Sequence, residues 1–367
     1  MINLKEQHSK FVKLYSFSSG ATSPTNIKLV EEMISHLDEE LFKNPNSKFL
    51  DPCAGTGTFG VVLYDKLLKY HDSKWILENM IFMVDTSRVN CDLLKKLGFV
   101  NVYNDDFLNL KLNMEFDVVL GNPPFQSSGV ELGQSHLYPH FIKTGISLLT
   151  VDGKLMYVNP PTFLKDKIHC MDGAFIEYFN TTAKKYFNVG SSFCWYIMTK
   201  DTSIQKTLVK TDTEEFYAEI KYDGSTLIPL GNMSNISLDI IKKIYNVKSN
   251  LKFQFKRDVT PPPHQSVFIR RMNRNKYFNA LIVDELLDVK LNADYTDTHR
   301  SNEKKILLNS KLFSFLYTCY STSPFITLGF INNIPFPDEE IVDSNNFIYT
   351  IYNLTQEEID YIENYVG

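Results

Sequence analysis

The segment "KFLDPCAGTGTFGVVLYDKLLKY" (48–70) decides the fold, because its hydrophobic pattern changes at a cluster of glycines. A short apolar run ends in Asp51 and Pro52, and Gly55, Gly57 and Gly60 follow directly. From residue 59 onward the apolar side chains recur at helical spacing. The segment therefore predicts a strand, a glycine turn and a helix, in that order.

Similar units follow along the chain. Helices are predicted in "RVNCDLLKKLG" (88–98), which Gly98 ends, and in "HFIKTGISLLT" (140–150). The sequence also predicts four further strands, in "MIFMVDTS" (80–87), "VNVYNDDF" (100–107), "FDVVLGNPPF" (116–125) and "GKLMYVNPP" (153–161). Strands that alternate with helices indicate an α/β domain with a parallel sheet covered on both faces. A closing hairpin is predicted in "FNVGSSFCWYIMTK" (187–200).

The regular alternation ends near residue 205, after which a polar stretch resembles a linker. Strand-like residues then surround an Asp-Gly turn, and helices are predicted over 234–249 and 303–320. We therefore expect an N-terminal extension (1–21), an α/β domain (22–205) and a C-terminal α+β domain (206–367).

Composition limits the classes of partner and location. The 367 residues carry a formal net charge of −5, so any contact with nucleic acid must come from a local patch. The five cysteines form no CxxC pair, which disfavours a disulfide framework or a zinc knuckle. His136 and His140 are four residues apart, but Pro139 interrupts that turn, so no metal site is expected. The sequence shows neither a signal peptide nor a membrane-spanning run, so we expect an intracellular protein.

Acidic residues follow three successive predicted strands. Asp51 precedes the glycine turn, Asp85 ends the second strand, and Asp106 follows the third with Phe107 beside it. Any one of these acids, seen alone, is more often a helix cap. Together they lie where open α/β sheets bind ligands, and Asp51 suits a cationic group better than a pyrophosphate. This pattern indicates a nucleoside with a charged tail, namely S-adenosyl-L-methionine.

The end of the fourth predicted strand carries the tetrapeptide "NPPF" (122–125). The Asn122 side chain and the Pro123 carbonyl offer two acceptors for the hydrogens of a planar amino group, and the prolines hold them in one shape. Phe125 offers a ring on which a base can stack. The tetrapeptide specifies a planar amino or amide nitrogen rather than DNA by itself.

Five motifs together resemble a known family. In order along the chain they are "TSP" (22–24), "DPCAGTGTFG" (51–60), "VD" (84–85), "NDDF" (104–107) and "GNPPF" (121–125). This series resembles the gamma-class DNA amino-methyltransferases, the adenine methyltransferases of type II restriction–modification systems and their phage and orphan relatives. The resemblance implies a Rossmann-like, seven-stranded methyltransferase sheet, S-adenosyl-L-methionine as cofactor and a C-terminal target-recognition domain. The implied reaction is methylation of N6 of a flipped-out adenine in double-stranded DNA.

The resemblance also assigns site residues. A second ring for the target base is expected at Phe193, with Trp195 the weaker candidate. The catalytic tetrapeptide is Asn122, Pro123, Pro124 and Phe125. The cofactor residues are Thr22, Pro24, Asp51, Cys53, Gly55, Gly57, Asp85, Asp106, Phe107 and Asn122.

A basic stretch in the C-terminal part reverses the sign of the chain's charge. Between residues 251 and 276 Asp258 is the one acid, and aromatic residues alternate with seven basic ones. Such runs are usually solvated faces, but the aromatic residues favour contact with nucleic acid. The predicted DNA-binding residues are Lys252, Lys256, Arg257, Arg270, Arg271, Arg274 and Lys276.

The resemblance predicts double-stranded DNA as partner and the cytoplasm of a bacterial or phage-infected cell as location. A monomer or weak dimer is expected, and a separate cognate restriction endonuclease is an open partner. Two alternatives remain at this point: an rRNA or protein-glutamine N-methyltransferase with the same tetrapeptide, or a catalytically silent DNA-binding relative.

Overall fold

The computed structural model describes most of the 367-residue chain. The described residues are 4–16, 24–125, 136–165, 171, 173–187, 193–201, 203–220, 228–249, 251–257, 267–270, 280–282, 293–296, 298–320 and 328–366. They form two compact units, Met1–Glu219 and Ile220–Gly367. The division falls after the predicted boundary at 205, because two strands beyond that point extend the sheet of the first unit.

The first unit is built on a nine-stranded sheet in the order β3-β2-β1-β4-β5-β7-β6-β8-β9. Strands β1 to β5 are mutually parallel, whereas β7 is antiparallel to both of its neighbours. The strands are β1 Phe49–Asp51, β2 Ile81–Asp85, β3 Asn101–Asn104, β4 Phe116–Gly121, β5 Leu149–Asn159, β6 Phe175–Asn180, β7 Cys194–Thr199, β8 Thr207–Lys210 and β9 Glu215–Ala218. The predicted seven-stranded, Rossmann-like methyltransferase sheet is confirmed as β1 to β7, and β8 and β9 are additional.

The prediction of a closing hairpin over 187–200 was wrong. The described part of that stretch forms the single strand β7, which is inserted between β5 and β6. Its six residues are all buried, as expected for a strand that is flanked on both sides. The turn residues in the sequence indicated a hairpin, but the pairing partners of β7 lie elsewhere in the chain.

Helices cover the sheet of the first unit, and most of them carry a side-chain cap. Ser87 caps α6 by accepting from the Asn90 N–H at 3.3 Å, and the same helix ends at Gly98 as predicted, with a φ of 103°. The helices are α1 Leu4–Ser16, α2 Ile27–Ile34, α3 Glu39–Lys43, α4 Thr58–Leu67, α5 Ser73–Trp75, α6 Arg88–Lys96 and α7 Tyr138–Ser147. A π-helical turn (Ile76–Met80) and two 3₁₀ turns (Pro161–Lys165 and Thr182–Tyr186) complete the unit.

The strand order changes direction between β1 and β4. Strands β2 and β3 lie on one side of β1, and β4 and β5 lie on the other. Because β1 and β4 are parallel neighbours, the residues that follow them emerge at the same edge of the sheet. In open α/β sheets ligands bind in the crevice at such a switch point. Asp51 ends β1, and Asn122 comes directly after β4.

The second unit combines small antiparallel sheets with helices, as predicted for an α+β domain. Four strands pair in the order β11-β14-β12-β13, and β10 pairs with β15. The strands are β10 Leu251–Lys252, β11 Lys256–Arg257, β12 Val267–Arg270, β13 Ala280–Ile282, β14 Ala293–Tyr295 and β15 Pro335–Phe336. The helices are α8 Asn235–Tyr245, α9 Ser301–Asn309, α10 Lys311–Tyr320, α11 Leu328–Asn333, α12 Asn345–Ile351 and α13 Gln356–Val366.

The single helix predicted over 303–320 is in fact two helices, α9 and α10, which break at Ser310. Ser310 has extended dihedral angles, and its hydroxyl donates to the Leu307 carbonyl at 2.6 Å. The same hydroxyl accepts from the Phe313 N–H at 3.3 Å. Serine competes with the helical hydrogen bonds in this way, so it favours helix ends. None of the helices described in either unit is long and apolar enough to cross a membrane.

Candidate active site

A buried carboxyl group marks the end of β1. Asp51 is 2% exposed, and its Oδ1 accepts from the Cys53 N–H at 3.1 Å. Its Oδ2 is buried and has no hydrogen-bond partner among the described residues. Burial raises the pKa of Asp51 to about 8, and the nearby negative charge of Asp85 acts in the same direction. Such a group favours a cation as its partner.

The glycine turn holds its shape through Asp85, the last residue of β2. Asp85 Oδ2 accepts from the Gly55 N–H at 2.7 Å, and Oδ1 accepts from the Ser87 N–H at 2.8 Å and Asn90 Nδ2 at 3.1 Å. Three of the roughly four acceptor positions of the carboxylate are thus occupied. Gly57 begins α4 with a φ of 90°, a conformation that glycine adopts without steric cost. Both glycines are therefore part of one fixed turn.

Asp106 and Phe107 follow β3 at the same edge of the sheet. Asp106 caps its own turn, because Oδ1 accepts from the Leu108 N–H at 3.0 Å and Oδ2 from Asn109 Nδ2 at 2.7 Å. It is partly exposed and keeps unused lone pairs. The Phe107 ring is 2% exposed and packs on Phe141 with ring centroids 5.4 Å apart. It therefore belongs to the wall of the crevice in this structure.

The Asn122 side chain lies beside the end of β1. Its Nδ2 donates to the Thr25 hydroxyl at 3.2 Å, whereas Oδ1 is buried without a partner in the described part of the chain. The preceding Gly121 allows the two strand ends to approach, since a Cβ there would lie 3.0 Å from Asp51 Oδ1 and 3.3 Å from Cys53 Sγ. The structure thus brings Asn122, Asp51 and Cys53 together.

Rings from three segments meet next to the tetrapeptide. The centroids of Phe125 and Phe193 are 5.3 Å apart at an interplanar angle of 40°. Phe187 stacks on Phe193 at 4.4 Å. Phe193 is buried, whereas Phe125 and Phe187 are partly exposed. Trp195, the weaker candidate for the second ring, is fully buried and packs on His36 and Tyr178 instead.

Two weakly acidic side chains line the buried base of this crevice. Burial raises the pKa of the Cys53 thiol, and the charges of Asp51 and Asp85 raise it further. Burial likewise raises the pKa of Tyr157, with smaller contributions from Cys53 and Asp51. Both groups are therefore neutral at ordinary pH, and neither adds a negative charge to the crevice.

The second asparagine-proline pair, in "VNPP" (158–161), differs from the tetrapeptide. Asn159 ends β5 and is fully buried. Its Oδ1 accepts from the Tyr196 hydroxyl at 3.1 Å, and its backbone carbonyl accepts from Cys194 Sγ at 3.3 Å. This side chain therefore faces the interior of the first unit, where it pairs β5 with β7.

Several of the predicted cofactor and DNA-binding residues lie outside the described part of the chain or outside the crevice. Thr22, Arg271, Arg274 and Lys276 lie outside the described residues, and the side chains of Arg257 and Arg270 are likewise not described. Pro24 is partly buried and precedes α2, and Lys252 and Lys256 are exposed in the second unit. The role of these residues in DNA or cofactor binding stays a prediction.

Sequence reasoning missed three residues of this site. Thr25 bonds Asn122, Asn90 bonds Asp85, and Phe187 stacks on Phe193. Thr25 directly follows the "TSP" motif, so its proximity to a motif was the available signal. The partners of Asn90 and Phe187 depend on packing that no local pattern indicates.

The residues present fit S-adenosyl-L-methionine as a ligand. Asp51 Oδ2 is a buried carboxyl oxygen without a partner in the described chain, which suits a cationic amino group. Asp85 is the last residue of β2, at the position where a ribose is bound in related folds. Thr56 adds a buried hydroxyl within the glycine turn that likewise has no described partner.

Comparison with known proteins gives one family match. Residues 68–189 match the Eco57I restriction-modification methylase family. The matched range contains β2 to β6, including the "NPPF" tetrapeptide. No curated protein matches the sequence.

Solved structures are similar over parts of the chain. A putative class I S-adenosylmethionine-dependent methyltransferase from Listeria monocytogenes has 17% identity and a TM-score of 0.46, over 57% of this chain and 74% of its own. A modification subunit of a putative type I restriction enzyme from Vibrio vulnificus has 14% identity and a TM-score of 0.45, over 59% of this chain and 54% of its own. The type IIG restriction endonuclease BpuSI has 11% identity and a TM-score of 0.49, over 98% of this chain and 63% of its own.

The family match confirms the predicted resemblance to restriction–modification methyltransferases. The strand order β3-β2-β1-β4-β5-β7-β6, with β7 antiparallel, is the sheet expected for that resemblance. The cofactor is S-adenosyl-L-methionine, which the crevice between β1 and β4 fits. The first unit is therefore an S-adenosyl-L-methionine-dependent methyltransferase domain, and its residues 68–189 are similar to the Eco57I restriction-modification methylase family.

Proposed function

We propose that this protein methylates N6 of adenine in double-stranded DNA, at a short recognition sequence. The observation that carries the proposal is the state of Asn122 in the tetrapeptide. Its Oδ1 is a buried acceptor without a partner in the described residues, while its Nδ2 is already bonded. A buried acceptor of this kind costs free energy unless a ligand satisfies it. An exocyclic amino group would do so.

The tetrapeptide would make the amino group of adenine more reactive. The nitrogen lone pair of that group is delocalised into the purine ring, which makes it a poor nucleophile. Asn122 Oδ1 and the Pro123 carbonyl would accept its two hydrogens and so favour a pyramidal nitrogen with a freer lone pair. Pro123 and Pro124 restrict the backbone, so both acceptors are in place before the base arrives.

The crevice between β1 and β4 would hold the cofactor. S-adenosyl-L-methionine, when bound, supplies the methyl group from its sulfonium. Asp51 would bind its amino group, and Asp85 would accept from its ribose hydroxyls. Asp106 and the turn from Cys53 to Gly57 would complete the contacts.

Phe125 and Phe193 would hold the flipped base. The centroids are 5.3 Å apart, whereas a base between two rings needs roughly twice the ~3.5 Å contact distance between carbon atoms. The rings would therefore part by about 2 Å, or the base would stack on the exposed side of Phe125. In either case the base must leave the DNA helix before it reaches Asn122.

The second unit would recognise the DNA. It carries the exposed Lys252 and Lys256, and its basic stretch continues through the remaining predicted DNA-binding residues to Lys276. On this basis we assign target recognition to the second unit rather than to the whole of 206–367, because β8 and β9 belong to the sheet of the first unit. The family name of the matched region also supports DNA as substrate, because restriction and modification both act on DNA.

The test is transfer of tritium from labelled cofactor, with unmethylated DNA, ribosomal RNA and a peptide release factor offered side by side. We expect label in DNA, N6-methyladenine as the modified base, and loss of the signal in Asn122→Ala. Label in RNA or release factor alone, methylcytosine as product, or full activity of Asn122→Ala would refute the proposal. Cofactor binding without transfer to any of the three would instead favour the catalytically silent relative.

A further inference from the structure

We infer that Thr25 is a positioning residue that fixes the amide of Asn122 for catalysis. Its hydroxyl would hold Nδ2, so that Oδ1 is presented to the target nitrogen. This inference rests on the proposed function of Asn122 and adds a second residue to it. Thr25 itself would touch neither substrate nor cofactor.

The first step concerns the freedom of the Asn122 side chain. Pro123 follows Asn122 and disfavours a helical backbone there, and Gly121 ends β4 directly before it. The backbone of Asn122 is thus restricted from both sides. The terminal torsion of an asparagine side chain, in contrast, has a broad and roughly two-fold preference. An external contact must therefore set the plane of the amide.

The second step identifies that contact. Nδ2 donates to the Thr25 hydroxyl at 3.2 Å, across 97 residues of sequence. This is the hydrogen bond that the structure gives to the Asn122 side chain within the described residues, because Oδ1 has no partner. Because Nδ2 donates to Thr25, Oδ1 lies at the opposite end of the planar amide. In this arrangement Oδ1 is the end of the amide that remains free to accept from a ligand.

The third step is that Thr25 is itself held in place. It lies between Pro24 and Asn26, and Asn26 caps α2 by accepting from the Lys28 N–H at 3.0 Å. Helix α2 is anchored in the core through four buried residues, Leu29, Val30, Met33 and Ile34. The hydroxyl therefore belongs to a rigid part of the first unit. A fixed hydroxyl can orient the amide without a cost in entropy at each turnover.

The test compares Thr25→Val, which removes the hydroxyl while keeping the shape, with Thr25→Ser, which keeps it. The assay is tritium transfer to unmethylated genomic DNA under single-turnover conditions. We expect Thr25→Val to lower the rate about tenfold, the size of one ordinary hydrogen bond, with the cofactor Kd unchanged. Thr25→Ser should restore the rate to within about twofold. Thr144→Val, on α7, is the matched control and should keep the wild-type rate.

A double variant separates positioning from a structural effect. If Thr25 acts through Asn122, Thr25→Val should lower the free energy of unfolding in the wild type and change it no further in an Asn122→Ala background, where the bond is already absent. The same loss in both backgrounds, no loss at all, or no rescue by serine would overturn the inference.

A readout that needs no activity distinguishes this inference from the proposed function. The side-chain amide signals of Asn122, identified by their absence in Asn122→Ala, should shift and exchange faster with solvent in Thr25→Val. Unchanged amide signals would overturn the inference and leave the proposed function intact. Full activity of Asn122→Ala would overturn both the proposed function and the positioning role, whatever the amide signals show.

Discussion

Cofactor binding should release a proton from Asp51. Its carboxyl group is 2% exposed, and burial raises its pKa to about 8 from an ordinary value of 3.8. At pH 7 the group is therefore mostly protonated in the ligand-free protein. The cationic amino group of S-adenosyl-L-methionine favours the ionised form, so the proton must leave when the cofactor binds.

The expected size of the effect follows from that pKa. Ionising a group with a pKa of about 8 costs about 1.4 kcal/mol at pH 7 and about 2.7 kcal/mol at pH 6. The apparent Kd should therefore fall about tenfold from pH 6 to pH 7 and about fivefold from pH 7 to pH 8. Above about pH 8 this dependence should level off.

The assay is calorimetry at pH 7 in buffers that differ in ionisation enthalpy, which counts the protons released on binding. We expect nearly one proton for the wild type and none for Asp51→Asn, whose affinity should also be about 10- to 100-fold lower. Asp117→Asn is the matched control: Asp117 lies at the other end of β4 and accepts from the Lys48 N–H at 2.8 Å. A pH-independent Kd without proton release, or normal binding by Asp51→Asn, would refute the reasoning.

The raised pKa of Asp51 also predicts how the stability of the ligand-free protein depends on pH. The folded-state pKa of Asp51 lies above the unfolded value, so its contribution to stability is complete below pH 3.8 and is lost as the pH rises towards about 8. At pH 7 the loss amounts to about 4 kcal/mol at most. Asp51→Asn should therefore raise the Tm of the ligand-free protein at pH 7 while it weakens cofactor binding. A lower Tm would contradict this cause of the shift.

Three further predictions concern the glycine turn, the ring pair and helix α1. Gly57→Ala should lower the free energy of unfolding by about 2–3 kcal/mol, because φ is 90° and the new Cβ would lie 2.4 Å from a leucine methyl group. In Gly55→Ala no atom lies within 4 Å of the new Cβ, so the free energy of unfolding should fall by only about 1 kcal/mol. Equal losses of unfolding free energy for the two variants in denaturant titrations would contradict the reasoning. Phe193→Ala should lower the free energy of unfolding by about 3–5 kcal/mol. It should also reduce kcat/KM for DNA while the cofactor Kd stays unchanged, and a higher cofactor Kd would contradict a role in base binding. Burial lowers the pKa of His8, so its contribution to stability is complete above pH 6.5 and is lost as the pH falls. The protection factors of the amides in α1 should therefore fall as the pH falls below 6.5 and should lose this pH dependence in His8→Gln; the same dependence in that variant would be the contrary result.

The parallel half of the sheet could be predicted from the sequence. The five runs that end in "LDP", "VDT", "NDD", "GNPP" and "VNPP" became β1 to β5, because strand-and-helix alternation is a local property. The insertion of β7 between β5 and β6 could not be predicted, since its partners are set by tertiary pairing. The break between α9 and α10 at Ser310 could not be predicted either, because buried apolar residues continue on both sides of it.

In the candidate active site, too, some features could be predicted from the sequence and others could not. The acids and the asparagine at the strand ends were predictable, because parallel strands bring their carboxyl ends to one edge. The bond between Thr25 and Asn122 was not, since it joins residues far apart in sequence and depends on where α2 packs. The domain boundary was predicted too early for the same reason, because β8 and β9 extend a sheet whose edge is set by tertiary pairing.

Methylation-aware sequencing of DNA from a bacterial host that expresses this protein tests the assigned reaction most directly. We predict N6-methyladenine at a single short recurring sequence, with complete loss of the mark when Asn122 is replaced by alanine. DNA without a new modified base, methylcytosine in place of methyladenine, or the same pattern with Asn122→Ala would contradict the assigned reaction.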